Sequence, residues 1–213
     1  YGQRKWYINK FKHGVCKMIA FDKKFIFVHI NKTAGTSIEK ALSNYGVKKL
    51  EENKDIQTEL TYKQSQHFNT IEYRKYLGED YDNYYKFSVV RNPFDRVVSY
   101  YYGGAIQSGL SFKEWVLDRY RDENYKDYIR MYSDFTHWFS EDEIDYVLKF
   151  ENLDNDFDKL KETLNLDCSL SKNNVNKTRT HYRDYYDDET IDVVEKHFEK
   201  ELNTFNYKFD GER

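Results

Sequence analysis

The feature that most restricts how this chain can fold is a pattern that occurs twice. Phe25, Ile26, Phe27, Val28 and Ile30 form a near-continuous apolar run that stops at Asn31 and Lys32, then turns through one glycine, Gly35, into hydroxyl residues. Its β-branched and aromatic side chains suit a strand buried on both faces of a parallel sheet. Ser37 then precedes Ile38, Ala41 and Leu42, apolar positions at helical spacing, with Gly46 as the stop. The second instance is "YYKFSVV" (84–90), which runs directly into "RNPFDRVVSYYYGG". There Pro93 stands where a helix begins, Asp95 falls in its first turn, Val97, Val98, Tyr101 and Tyr102 supply an apolar face, and Gly103 and Gly104 end it. Between the two, a short strand is expected at 60–62, followed by a helix with Ile71, Tyr73, Tyr76 and Leu77, closed by Gly78. A late strand, "YVLKF", and the helical spacing of "YDDETIDVVEKHF" continue the alternation. The order predicts an α/β domain of P-loop-like, three-layer type, with a central parallel sheet flanked by helices.

A strand, tight loop and helix start aim backbone N–H groups and the positive end of a helix at one spot, which attracts anions. Lys32 adds a positive charge there, and Thr36 and Ser37 add hydroxyls. A nucleoside triphosphate loop needs GxxxxGK[ST], with glycines before the lysine. Here the lysine comes first and the glycine follows, so the Walker motif is missing. In the second unit, Arg91 at the C-terminal end of its strand faces the side where open α/β sheets bind ligands, and its planar guanidinium matches a phosphate. Ser99, about two turns on, adds a hydroxyl. Taken singly, each residue has a plainer reading: a turn lysine in solvent, or an Arg91–Asp95 ion pair beside a helix cap. Taken together they form two phosphate sites on one sheet edge, which calls for a ligand with two anionic groups.

The global numbers remove other classes. With 213 residues, one proline and nine glycines, the chain fits a single domain spanning 1–213, with 1–23 as an extension of unclear role. A formal net charge of −3 does not indicate a nucleic-acid or anionic-membrane surface, so any anion binding is local. No apolar segment reaches the ~18 residues of a membrane span. Cys16 and Cys168 make no disulfide framework, though they could pair, and no CxxC or HExxH spacing points to a metal. The chain opens "YGQRKWYINK", without methionine or an apolar h-region, which reads as a trimmed or mature product. Asn31 and Asn176 begin Asn-Lys-Thr sequons, and a glycan on the first would block the anion loop. The expected location is therefore cytoplasmic, with the Golgi lumen open if an N-terminal anchor was removed.

The two units also carry a resemblance. "KTAGTS" is similar to the 5′-phosphosulfate loop, and "RNPFDRVVSYYY" to the 3′-phosphate motif, of carbohydrate sulfotransferases related to the heparan and chondroitin sulfotransferases (sulfotransferase family 2). The motifs stand in the right order, about 60 residues apart, and the likeness runs from about residue 24 to 209. It implies 3′-phosphoadenosine 5′-phosphosulfate (PAPS) as donor, no metal, and a glycan or other hydroxyl as acceptor. The implied donor contacts are Lys32, Thr33, Ala34, Gly35, Thr36 and Ser37 in the first loop and Arg91 and Ser99 in the second. Lys177, Thr178 and Arg179 would close over the nucleotide, in what is otherwise a solvated turn.

For a base, six histidines are available. His67 follows the expected strand and stands where a helix starts, so it should reach the edge that holds Lys32. In the glycosaminoglycan 2-O branch, a histidine before an aromatic residue between the two PAPS motifs looks like the general base, and His67-Phe68 matches it. A capping or core histidine is the plainer alternative. His29 is the nearest rival, expected to be buried by strand alternation. Glu151 and Asn152, at the end of the late strand, reach the same edge and could orient Lys32 or the acceptor. A P-loop-like kinase and a non-catalytic nucleotide or sulfated-glycan binding protein remain as alternative functions, and the sequence leaves the oligomeric state undetermined.

Overall fold

A computed structural model describes residues 18–45, 67–121, 132–170 and 179–210. In chain order the strands and α-helices are β1 (Ile19–Ala20), β2 (Phe25–Val28), α1 (Gly35–Ala41), α2 (Thr70–Leu77), β3 (Tyr85–Val90), α3 (Pro93–Gly103), α4 (Phe112–Tyr120), β4 (Tyr146–Lys149), α5 (Leu153–Leu164), α6 (Asp188–His197) and α7 (Glu199–Phe205). The strands form one four-stranded sheet in the order β1-β2-β3-β4. The pairs β2/β3 and β3/β4 are parallel, as the buried runs predict. By contrast β1 is antiparallel to β2, so the sheet is mostly rather than wholly parallel, and this edge strand lies in the stretch set aside as an extension. The expected strand at 60–62 and the stop at Gly46 lie outside the described residues.

Every residue of β2 is fully buried. Phe27 stacks on Phe87 of β3 at 5.1 Å between ring centres. Burying one such side chain is worth about 1.5–3 kcal/mol. The buried Ser88 of β3 donates its hydroxyl to the Val28 carbonyl at 2.7 Å, so its polar atom has a partner. One apolar cluster gathers around the sheet with Ile38 of α1, Tyr73 of α2, and Phe157 and Leu160 of α5. A second joins Phe94, Val97 and Val98 of α3 to Trp115 of α4, Val194 of α6 and Leu202 of α7. The molecule is thus an α/β fold with a mostly parallel sheet flanked by helices. Because β2, β3 and β4 run parallel, the residues that follow them, 29–34, 91–92 and 150–152, emerge at the same edge of the sheet.

Candidate active site

The first loop begins at His29, just beyond β2; the histidine is 7% exposed, buried as expected but not by alternation, since the whole run from Phe25 to Ile30 is buried. Lys32 and Ala34 both adopt left-handed backbone, with φ of 64° and 69°. For residues with a Cβ this costs roughly 1–2 kcal/mol each, and alternating hand turns successive N–H groups toward a common concavity. Two contacts hold the strained path. Thr33, fully buried, donates its hydroxyl to the Ile30 carbonyl at 2.8 Å. Gly35 lies directly against the His29 ring, since a Cβ there would stand 1.7 Å from His29 Nε2. The helix starts at Gly35, ahead of Ile38 where the helical apolar spacing begins, with Ala34 in the cap position and no side-chain cap. Its early start engages the Ser37 N–H, which donates to the Ala34 carbonyl at 2.9 Å. Ser37 is nearly buried, while the Thr36 side chain is open to solvent.

The second loop is built conventionally. Pro93 begins α3, and the Asn92 side chain accepts the Phe94 N–H at 3.1 Å. Glu151, after β4, accepts the Asn92 N–H and the Tyr207 hydroxyl, each at 2.7 Å. The carboxylate therefore braces this loop. Asn152 donates to Asp156 of α5 at 2.9 Å.

Arg91 ties the two loops together. Its Nε donates to Asp95 at 2.7 Å, its Nη1 donates to the Lys32 carbonyl at 3.0 Å, and its guanidinium lies 4.0 Å above the Phe150 ring. The ion pair with Asp95 anticipated from sequence is present, and the contact with Lys32 goes beyond it. Arg179 reaches the other oxygen of Asp95, so one carboxylate bridges two guanidiniums. Burial lowers the Lys32 pKa, and the charges of Arg91 and Arg179 lower it further. For Arg179, too, burial followed by Arg91 pulls the pKa down. Lys32 is thus depressed by both guanidiniums and Arg179 by Arg91, a crowding of positive charge that an anion would relieve. The seven-residue α1 adds only a small dipole to that field. Lys177 and Thr178 lie outside the described residues.

His67 sits just before α2, which Asn69 and Glu72 start with a reciprocal capping box. Its Nδ1 is 3.0 Å from the His29 carbonyl. A carbonyl only accepts, so Nδ1 carries the proton and the neutral ring has its lone pair on Nε2. The His29 and His67 ring centres are 4.5 Å apart, and Trp138 is edge-on to His67 at 5.9 Å. The fold thus brings His67 to the loop that carries Lys32. Sequence reading missed Asp95 as a bridge, Glu151 with Tyr207 as a brace, and the His29–Gly35 contact. Of these only the four-residue spacing from Arg91 to Asp95 was visible in the sequence.

Among the described residues no group of three or more His, Cys, Asp or Glu side chains could hold a metal, and no helix is long and apolar enough to cross a membrane. No curated protein and no solved structure matches the chain. The sequence model of the Sulfotransferase family matches residues 17–208, a span that takes in β1, both loops, His67 and the C-terminal helices. The chain belongs to the sulfotransferase family.

Proposed function

We propose that this protein moves a sulfuryl group from PAPS to a glycan hydroxyl, with His67 as general base and Lys32 as the charge that stabilises the leaving phosphate. The observation that carries the reading is the convergence of Lys32, Arg91 and Arg179 around one edge of the sheet, with His67 fixed against the same loop. The residues fit a donor with two anionic ends. Lys32 and the amides of the left-handed loop would hold the phosphosulfate, and Arg91, Ser99 and Arg179 the 3′-phosphate. The glycan acceptor rests on the resemblance of the two motifs to the glycosaminoglycan enzymes.

The proposed chemistry assigns each residue one task. His67 takes the acceptor's proton on Nε2 while the acceptor oxygen forms its bond to sulfur. The bond from sulfur to the bridging oxygen breaks, and Lys32 compensates the negative charge that this oxygen carries away with the phosphate. The His29 carbonyl keeps His67 in the tautomer that can accept. As in phosphoryl transfer, positioning and electrostatics do most of the work.

The test is labelled PAPS with a panel of glycans and phenols, together with two variants. His67→Ala should lower kcat by ~10²–10⁴ with nucleotide affinity nearly unchanged, and wild-type turnover should fall on the acid side as the imidazole protonates. Lys32→Ala should weaken the donor and slow turnover together. 3′-Phosphoadenosine 5′-phosphate should bind much better than AMP. Equal affinities would sink the two-anion reading, and wild-type turnover in His67→Ala would remove the base.

A further inference from the structure

Asp95, Ser99 and Gly103 are spaced by four along α3, so they share one stripe of that helix. One end of the stripe reaches Lys32 through Arg91, and the other meets it directly. At the first end Asp95 holds Arg91, whose Nη1 donates to the Lys32 carbonyl. At the other, a Cβ placed on Gly103 would stand 2.6 Å from Lys32 Nζ and 3.3 Å from its Cε. The lysine side chain therefore runs beside α3, from its backbone near Arg91 to an ammonium against the last turn. The carbonyl end of a helix is electrically negative, which suits a cation.

Nothing in the backbone asks for glycine here. Gly103 is the last residue of α3 and exposed, and its φ is not left-handed. On helix propensity alone alanine would be the better residue here. What the missing side chain provides is room for the Lys32 ammonium.

We propose that Gly103 is a positioning residue for Lys32: its bare Cα leaves the seat that fixes where the ammonium stands. The inference rests on the reading of Lys32 as the charge at the leaving oxygen, and deepens it. A Cβ would push the ammonium aside, and a displacement on the order of 1 Å in a catalytic group can cost ~10²-fold in rate.

The experiment is a double-mutant cycle on Gly103→Ala and Lys32→Ala, read by 3′-phosphoadenosine 5′-phosphate affinity, turnover of labelled PAPS and thermal midpoint. Gly103→Ala alone should keep or raise the midpoint yet lower turnover by ~10-fold or more. In the Lys32→Ala background the same change should do nothing further to affinity or turnover, and any loss of midpoint should vanish, because the atoms that the Cβ meets are gone. Wild-type turnover and affinity in Gly103→Ala would overturn the inference, as would a penalty of equal size in both backgrounds. If Lys32→Ala is itself unimpaired, the reading of Lys32 has failed. If Lys32→Ala is impaired and Gly103→Ala is not, only the seat has.

Discussion

The two strand–loop–helix units occupy neighbouring strands of one sheet, and they are held in opposite ways. The second uses conventional supports: Asn92 caps, Pro93 presets the first turn, and Glu151 accepts from the loop's own N–H. Beneath it, Arg96 of α3 pairs with Glu201 of α7 at 2.9 Å, both fully buried. The first has no side-chain cap, two left-handed residues that have Cβ atoms, and a glycine pressed on a histidine. Under the function proposed above, the difference separates two tasks. A phosphate clamp needs a rigid frame, which caps and ion pairs supply. A loop that must aim amides and an ammonium at a reacting group needs unusual backbone, and it persists because buried contacts on either side over-determine it.

The comparison predicts where each unit breaks. The largest effect belongs to the second. Arg96→Ala would take the paired cation from the buried Glu201, which keeps the Phe135 N–H, and one donor from the Ser133 carbonyl, and removing one member of a buried pair costs about 3–5 kcal/mol. Urea unfolding at neutral pH measures it; a loss below about 1 kcal/mol would mean that the strut carries no load. The pair also gives a pH signature. Burial, only partly opposed by Arg96, raises the Glu201 pKa from 4.5 to about 7. The folded state then keeps a proton that the unfolded chain has released, so this contribution is complete below pH 4.5 and is lost as pH rises through about 7. Glu201→Gln should flatten that part of the stability profile.

The first unit should fail at Gly35. Gly35→Ala puts a methyl group into the His29 ring, and overpacking of this kind costs about 1–3 kcal/mol. Since the loop must shift to accept it, turnover should fall by ~10² while the second unit's own cap variant, Asn92→Ala, costs only about 1 kcal/mol and little activity. His29→Ala added to Gly35→Ala should return part of the stability. Thermal melts of the three proteins check the order, and a Gly35→Ala protein as stable and active as the parent would erase the contrast between the loops.

Legibility in the sequence divides along the same line. The second unit was readable because its devices are local: a proline, an asparagine and an acidic first turn within four residues of Arg91 announce a helix start. The buried runs of β2 and β3 were readable for the same reason. In the first unit the helix was expected after Ser37 and begins at Gly35, because the cap is a left-handed Ala34, a choice that propensity disfavours. Contacts that close over distance left no local mark. Arg96 and Glu201 stand 105 residues apart, Glu151 and Tyr207 stand 56 apart, and β1 declares itself only through its pairing with β2. The position of Lys32 was legible, but the seat of its ammonium was not, since Gly103 reads in sequence as a helix stop.

The smallest effect tests whether the strain in the first loop is itself needed. Ala34→Gly would remove the steric cost of the left-handed cap, roughly 1–2 kcal/mol, and add back about 0.4–1 kcal/mol of backbone freedom in the unfolded chain. The first is the larger and the second offsets part of it, so the thermal midpoint should rise slightly or stay put. Function then decides between two accounts of the same backbone. If the His29–Gly35 and Thr33–Ile30 contacts hold the loop, the glycine variant keeps its affinity for 3′-phosphoadenosine 5′-phosphate within a few-fold, because the path is fixed from both sides. If the Ala34 methyl is what confines the loop, the variant gains midpoint but loses affinity. The paired measurement of melting and nucleotide binding on one variant separates them, and the packing seen around Thr33 and Gly35 favours the first outcome.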